Sequence, residues 1–410
     1  MKSKTLHTAG AVTMALWITL AAAGCSESGE RVTVTTNQGL AADGSAPEVI
    51  VGSEESEVAA GTTVSEVSDY FSERDLVQTA DLANAASIEL ESGQDVRITE
   101  EGVYVLGGDV SNVTVVVEAA DDAKVQLVLD GVAITNVDAP AIYVKAADKV
   151  FVTTTDSSSS MEVTGSYTAD GEGNLDAVIF SRADLTLNGT GSLAIIAPTG
   201  NGIASKDDLR ITGGEYTIEA AADGLEANDA IKIHDGILTI QSGKDALHSE
   251  NEEDASLGYV YMEGGTLQIS AVDDAIRANS YVRIDGGTIN IEMSQEGIEA
   301  NYITINDGQI TLYAKDDGIN ASAKVDAPVG IEVNGGTIHV EVGSGDTDAF
   351  DSNGNLYING GIITVEASSA FDFDGEGGLN GGNVTVNGAT ITELTASRGG
   401  GMGMGMGGRR

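Results

Sequence analysis

The sequence predicts an all-β chain wound as a right-handed parallel β-helix, a solenoid of about 22-residue, three-strand coils. Three observations predict it. Short β-branched runs such as Val113–Val117, Val125–Leu129 and Leu185–Leu187 are separated by Gly, Asn and Asp. A five-residue motif, acid-(Gly/Ala)-aliphatic-x-(Ala/Ser), recurs at steps of 22, 22, 29, 22, 21, 31 and 21 residues. A second motif, aliphatic-x-Gly/Asp-Gly-x-aliphatic-x-aliphatic, falls between its copies.

Residues 1–24 carry Lys2 and Lys4, a mostly apolar run from Ala11 to Ala23, and then Gly24. A charged n-region, an apolar h-region and a small-residue cleavage site mark a signal peptide, which takes no part in the fold. Cys25, the sole cysteine, follows directly and looks like the lipid-accepting cysteine of a lipobox, with Ala22 where leucine is usual. The expectation is a secreted chain, lipid-anchored to a cell or outer membrane through Cys25. With no second cysteine the chain has no internal disulfide, and stability rests on packing and on metal.

Residues 26–66 hold eight acids and one base, Arg31, with few large apolar side chains. Residues 25–87 therefore read as an acidic disordered tether, with a short helix at 69–83. The β-helix is expected over 88–396. Residues 397–410, where Met402, Met404 and Met406 alternate with glycine, read as a flexible tail.

The first motif appears as Asp223-Gly-Leu-Glu-Ala, Asp245-Ala-Leu-His-Ser, Asp274-Ala-Ile-Arg-Ala, Glu296-Gly-Ile-Glu-Ala, Asp317-Gly-Ile-Asn-Ala and Asp348-Ala-Phe-Asp-Ser. Asn201-Gly-Ile-Ala-Ser precedes these and Ser369-Ala-Phe-Asp-Phe follows. The two long steps read as one coil plus an insertion, around 250–258 and 323–328. A period near 22 is too short for a helix-containing repeat of the ankyrin kind, and leucine-rich spacing is missing. Three short strands per coil, stacked at about 4.8 Å, satisfy the period. Stacking also lets a chain with 4% aromatics build a core from columns of Val, Ile and Leu.

The chain has 64 acids against 20 bases, and loss of the signal removes two of the bases. Nucleic acid and anionic lipid are excluded as direct partners, since both need cationic surface. In a solenoid each motif position becomes a column, so Asp223, Asp245, Asp274, Glu296, Asp317 and Asp348 stack, with Asp273 and Asp316 beside two of them. Carboxylates about 5 Å apart repel by roughly 3–4 kcal/mol at an effective dielectric near 20. Protonation, basic partners or bound cations must relieve this. Oxygen-rich turns suit Ca²⁺, so these eight acids are the metal candidates; the alternative is a set of solvated surface acids.

Three further columns stand out. Asn228, Glu250, Asn279, Asn301, Ser322 and Asn353 are expected to hydrogen-bond along one turn. Glu226, His248, Arg277, Glu299, Asn320 and Asp351 face outward, with Arg277 paired to Glu299. Tyr259, Tyr281 and Tyr302 occupy consecutive coils, with Tyr261 and Arg283 two positions on. By strand parity these rings point outward, where they stack on sugar faces or on one another. Tyr259, Tyr261, Tyr281, Tyr302, Arg283 and Arg277 are the ligand candidates.

Several segments resemble one known family. They are Val128-Leu-Asp-Gly-Val-Ala-Ile-Thr-Asn136, Ala141-Ile-Tyr-Val-Lys-Ala-Ala-Asp-Lys149, Ala177-Val-Ile-Phe-Ser-Arg-Ala-Asp-Leu185, Leu187-Asn-Gly-Thr-Gly-Ser-Leu193 and Gly202-Ile-Ala-Ser-Lys-Asp-Asp-Leu-Arg-Ile-Thr-Gly-Gly214, followed by the repeats. The chain resembles bacterial calcium-binding β-helix proteins described as carbohydrate-binding domain-containing proteins. The resemblance implies a right-handed β-helix, calcium in the acidic turns, and binding of plant-type or acidic polysaccharide without an established reaction. The family is also similar in fold to polysaccharide lyases, and two alternatives to binding stay open from the residues: a calcium-dependent polyuronate lyase with Arg277 or Lys244 as base, and a purely structural or adhesive solenoid.

Overall fold

The computed structural model describes residues 70–171, 173–345 and 347–396. The expected signal peptide, Cys25, the tether up to residue 69 and the Gly/Met tail lie outside the described residues. Thirty-eight strands and no helix are found among the described residues. They wind into a parallel β-helix of about twelve coils, as the repeat period requires, with three sheets of 13, 13 and 12 strands.

Each coil contributes one strand to each sheet. The acid sheet contains Leu225–Ala227, Leu247–Ser249, Ile276–Ala278, Ile298–Ala300 and Ile319–Ala321. The tyrosine sheet contains Tyr259–Met262, Tyr281–Ile284 and Tyr302–Ile305. The third sheet contains Glu215–Ala220, Ile237–Ser242, Thr266–Ala271 and Thr288–Ser294. The register follows the motif: Leu225 pairs with Leu247, then Ile276, Ile298, Ile319 and Phe350. Both long steps are therefore single coils with an insertion, as expected. One antiparallel pair, Asn383–Val386 with Ala389–Thr390, ends the described chain.

Alternation along each strand sends one side chain in and the next out. Val260, Val282, Ile303, Ile331 and Leu356 form one inward column, and Leu238, Leu267, Ile289, Ile310, Ile338 and Ile363 another, all with at most 2% exposure. Each such side chain contributes about 1.5–3 kcal/mol on burial. The second motif supplies the turn between the tyrosine and third sheets. Its second glycine takes a positive φ; at Gly287 this is 91°, and an added Cβ would lie 2.5 Å from Met262 Cε. A larger residue is therefore doubly disfavoured there.

Two expectations change. Residues 70–83 are not helical; they form turns, and the stretch from Tyr70 to Gln78 crosses the outward face of the tyrosine sheet as a strap. The fold thus begins well before residue 88. The strap's aromatic and polar groups find partners far along the chain, which a local helix would have turned away. The column Asn228 to Asn353 is also not an amide ladder. Asn279 and Asn301 instead anchor the insertions, through the Asn251 carbonyl at 2.9 Å and the Pro328 carbonyl at 2.8 Å. The amide ladder runs through Asn306, Asn334, Asn359 and Asn380, with every link 2.8 Å.

Candidate functional site: the acid column and the covered tyrosine face

From Asp223 to Asp317 the acid of each first motif occupies the turn that leads from the third sheet into the acid sheet, while Asp348 opens its strand. Because the turn intervenes, its carboxylate does not enter the apolar core. Instead, at Asp223, Asp245, Asp274 and Asp317, it accepts the backbone N–H of the equivalent acid one coil on. The Asp245 amide donates to Asp223 Oδ1 at 3.1 Å, the Asp274 amide to Asp245 Oδ1 at 2.9 Å, and the Glu296 amide to Asp274 Oδ1 at 3.3 Å. The Asp348 amide donates to Asp317 Oδ1 at 2.7 Å. This ladder explains why a short acid recurs where repulsion should forbid it: one oxygen per side chain satisfies a backbone donor.

The other oxygens converge. Among the described residues, three groups bring ligating atoms within 4.8 Å of one another: Asp223, Asp245 and His248; Asp245, Asp273 and Asp274; and Asp274, Glu296 and Glu299. Five of the eight predicted metal candidates fall in these groups beside their predicted neighbours. Asp316, Asp317 and Asp348 belong to none of the three; Asp316 accepts from Gln295 Nε2 at 3.2 Å, and the Ser369 hydroxyl donates to Asp348. Sequence reasoning placed His248 and Glu299 in an outward column and missed that the turn curls the acid back beside the residue three positions on.

The crowding costs ionisation. Burial, with Asp245 and Glu296 alongside, pushes the Asp274 carboxyl up to about 8. Burial raises Glu296 to about 7 although Asn320 donates to it, and raises Asp245 to about 6 against the pull of the Asp274 amide and His248. A second crowded place lies further along, where burial, Asp317 and Asp348 raise Asp351 to about 7. Basic compensation is partial. Lys324, from the second insertion, stands 2.6 Å from Glu299 Oε2, while Arg277 lies 3.7 Å from the same oxygen and 3.9 Å from Asp245. The expected Arg277–Glu299 pair is present. Its guanidinium, although burial opposes the charge, is driven further toward the charged form by Asp245 and Glu299.

A divalent ion fits the donors at Asp274, Glu296 and Glu299. Asn320 stands in register with Glu299, is 8% exposed, and donates through Nδ2 to Glu296 Oε2 at 2.9 Å, yet its own Oδ1 has no hydrogen-bond partner. The three carboxylates, with a buried amide oxygen that has no donor on the side chain that binds Glu296, offer hard oxygen donors of the kind Ca²⁺ takes.

The tyrosine row departs from expectation. Its rings point away from the core, but the strap lies over them. Tyr70 stacks on Tyr261 with centroids 3.9 Å apart, and Tyr261 has no exposed surface. Tyr259 stacks on Tyr281 at 4.5 Å, with Tyr70 edge-on to Tyr259. Tyr259, Tyr281 and Tyr302 are half-buried. Arg283 is held by Asp285 at 2.7 and 2.8 Å. Tyr261 thus presents no face to a sugar, and the stacked-ring alternative describes Tyr259, Tyr261 and Tyr281.

Beneath the rest of the strap lies a polar network. Asp75 is fully buried and accepts from Lys149 Nζ at 3.1 Å, Thr186 Oγ1 at 2.8 Å and the Ser72 amide at 2.8 Å. Gln78 caps the Gly189 amide and the Thr212 carbonyl, and the Arg210 Nε donates to the Tyr70 carbonyl. Ser72 is local, but nothing in the local sequence of the strap signals the other partners, which are 74 or more residues away.

The family described as carbohydrate-binding domain-containing protein matches residues 92–348 and 281–400. The chain belongs to that family. A carbohydrate-binding domain-containing protein of Acetivibrio thermocellus is 36% identical over 132 residues, which is 32% of this chain and 46% of the relative. The chain therefore spans a little under half of that relative's length. Among solved structures, a polysaccharide lyase-like protein from C. thermocellum, studied as a gadolinium derivative, is 23% identical. It covers 74% of this chain and 97% of its own, with a TM-score of 0.40. The family match spans the middle segments and the repeats, and it bears out their carbohydrate-binding resemblance.

Proposed function

We propose that this carbohydrate-binding family member is a polysaccharide-binding surface protein that holds Ca²⁺ in its acid column and carries out no reaction on the bound glycan. One observation carries the reading. Asp274 is 4% exposed and belongs to two carboxylate groups at once, with Asp245 and Asp273 on one side and Glu296 and Glu299 on the other. Asp274, Glu296, Glu299 and Asn320 would hold the ion. When bound, Ca²⁺ supplies charge neutralisation and open positions for sugar carboxylates or hydroxyls. The column's own residues do the rest: the Oδ1 ladder fixes the carboxylates, Asn320 orients Glu296, and Ser322 donates to Glu299 Oε1 at 3.0 Å. An acidic glycan suits this arrangement because it would share the ion rather than meet uncompensated acids. Cys25, acylated after signal cleavage, would tether the solenoid to a membrane.

Arg277, the candidate base of a lyase, is held charged by its neighbours and is a poor proton acceptor. The test presents polygalacturonate and alginate to the full chain in millimolar calcium or in chelator, following retention and the absorbance of unsaturated uronides together. Retention in calcium only, with no absorbance rise, is expected. A rise abolished by Arg277→Ala would replace the binding reading with a lyase.

A further inference from the structure

The motif copies differ at their fourth position, which reads Glu226, His248, Arg277, Glu299, Asn320 and Asp351 from coil to coil. Of these, His248 alone carries a nitrogen lone pair that can ligate a metal beside the acid column. Asp223 and Asp245 each commit Oδ1 to the backbone ladder and turn Oδ2 toward the His248 imidazole. Nδ1 lies 3.4 Å from Asp223 Oδ2 and 3.6 Å from Asp245 Oδ2. These spacings are long for hydrogen bonds. They are close to the donor–donor edge of roughly 3.3 Å that tetrahedral metal–ligand bonds of about 2.0–2.1 Å imply.

The far side of the ring points the same way. Nε2 lies 3.1 Å from Glu250 Oε2. With Nε2–H donated to Glu250, Nδ1 turns toward two carboxylates, where either its own proton or a metal ion can balance their charge. A carboxylate holding the remote N–H is also the support that metal-bound imidazoles usually have. His248 and Glu250 further line an open groove of about 540 Å³ with Lys206, Glu226, Asn228 and Asp229, so the imidazole is reachable from solvent. The surrounding cations are already engaged: Lys206 pairs with Glu226 at 2.8 Å, and Arg277 sits between Asp245 and Glu299.

We propose that Asp223, Asp245 and His248 form a second kind of metal site, one for a borderline divalent transition metal such as Zn²⁺. Imidazole nitrogen suits such an ion, whereas Ca²⁺ prefers oxygen donors alone. The two metal classes would then occupy neighbouring coils of one column. The inference does not rest on glycan binding, and the calcium reading, centred on Asp274, survives its failure.

The experiment is a Zn²⁺ titration of the full chain against a chromophoric chelator, with millimolar calcium present throughout. One Zn²⁺ per chain is expected to bind and to resist displacement by calcium. His248→Gln should weaken it at least about 100-fold, and Glu250→Gln about 10-fold, as losses of a ligand and of its support. His234→Gln, which removes the imidazole paired with Glu263 at 2.7 Å, should leave it unchanged. Co²⁺ added to the unaltered chain gives a readout independent of any variant: intense visible absorption from a four-coordinate site. Zinc affinity that survives His248→Gln, falls equally in His234→Gln, or yields to millimolar calcium would overturn the proposal, as would weak Co²⁺ absorption.

Discussion

Asp75→Ala should release the strap while leaving the solenoid wound. Burial alone would raise the Asp75 carboxyl, but Ser72, Lys149 and Thr186 together hold it at about 2 rather than 3.8. At about 1.4 kcal/mol per pH unit, that difference is about 2.5 kcal/mol of stability. The sign follows from a depressed acid: the contribution is complete above about pH 4 and is lost as pH falls through about 2. Substitution removes more than the charge, since Thr186 Oγ1 loses its acceptor in a fully buried position. Lys149 keeps Asp184 at 3.4 Å, which places the cost at the low end for an unpaired buried ion, about 3 kcal/mol. Hydrogen exchange of the Asp75 and Val77 amides, which donate to the Ser72 and Arg74 carbonyls, reads the strap directly. Their protection should fall by more than about 100-fold, with core strands such as Tyr302–Ile305 unaffected. Unchanged protection of those two amides in Asp75→Ala would refute the assignment of the strap's stability to this network.

Three further outcomes follow from the same geometry. In chelator, Asp274, Glu296 and Asp245 bind protons more tightly folded than unfolded, with values near 8, 7 and 6, so stability should fall as pH rises from about 4 to 8. Calcium should release protons and flatten that decline, which melting curves at about pH 5 and pH 8 will show. Tyr281→Ala should cost about 1–2 kcal/mol in denaturant unfolding, because Tyr281 stacks on Tyr259, and should leave polysaccharide retention intact. Lys324→Gln should tighten calcium binding in a titration by removing the ammonium that competes for Glu299.

The coil period, the strand register and the inward columns were legible because a solenoid turns sequence spacing directly into spatial stacking. Leu225, Leu247 and Ile276 pair in register since the motif repeats, and the insertions only lengthen turns. The carboxylate groups around Asp274 were legible for the same reason. What escaped were contacts outside the repeat. Tyr70 and Asp75 meet partners on several coils at once, and no periodicity encodes them. Parity correctly turned Tyr261 away from the core but could not show that another segment covers it. Glu299 and His248 were read as outward residues because strand parity does not follow the chain through the turn that brings Asp274, Asp223 and Asp245 beside them.

The most direct test of the cation-holding column compares melting curves in chelator and in calcium for the native chain and Asp274→Asn. Calcium at about 100 times its dissociation constant should add about 2.7 kcal/mol to the native chain, a rise of roughly 4 °C. Asparagine keeps the acceptor that the Glu296 amide uses but removes the crowded charge. The variant in chelator should therefore melt no lower than the native chain in chelator, and calcium should add nothing to it. Coincident native curves with and without calcium, or an equal calcium increment in Asp274→Asn, would contradict the account.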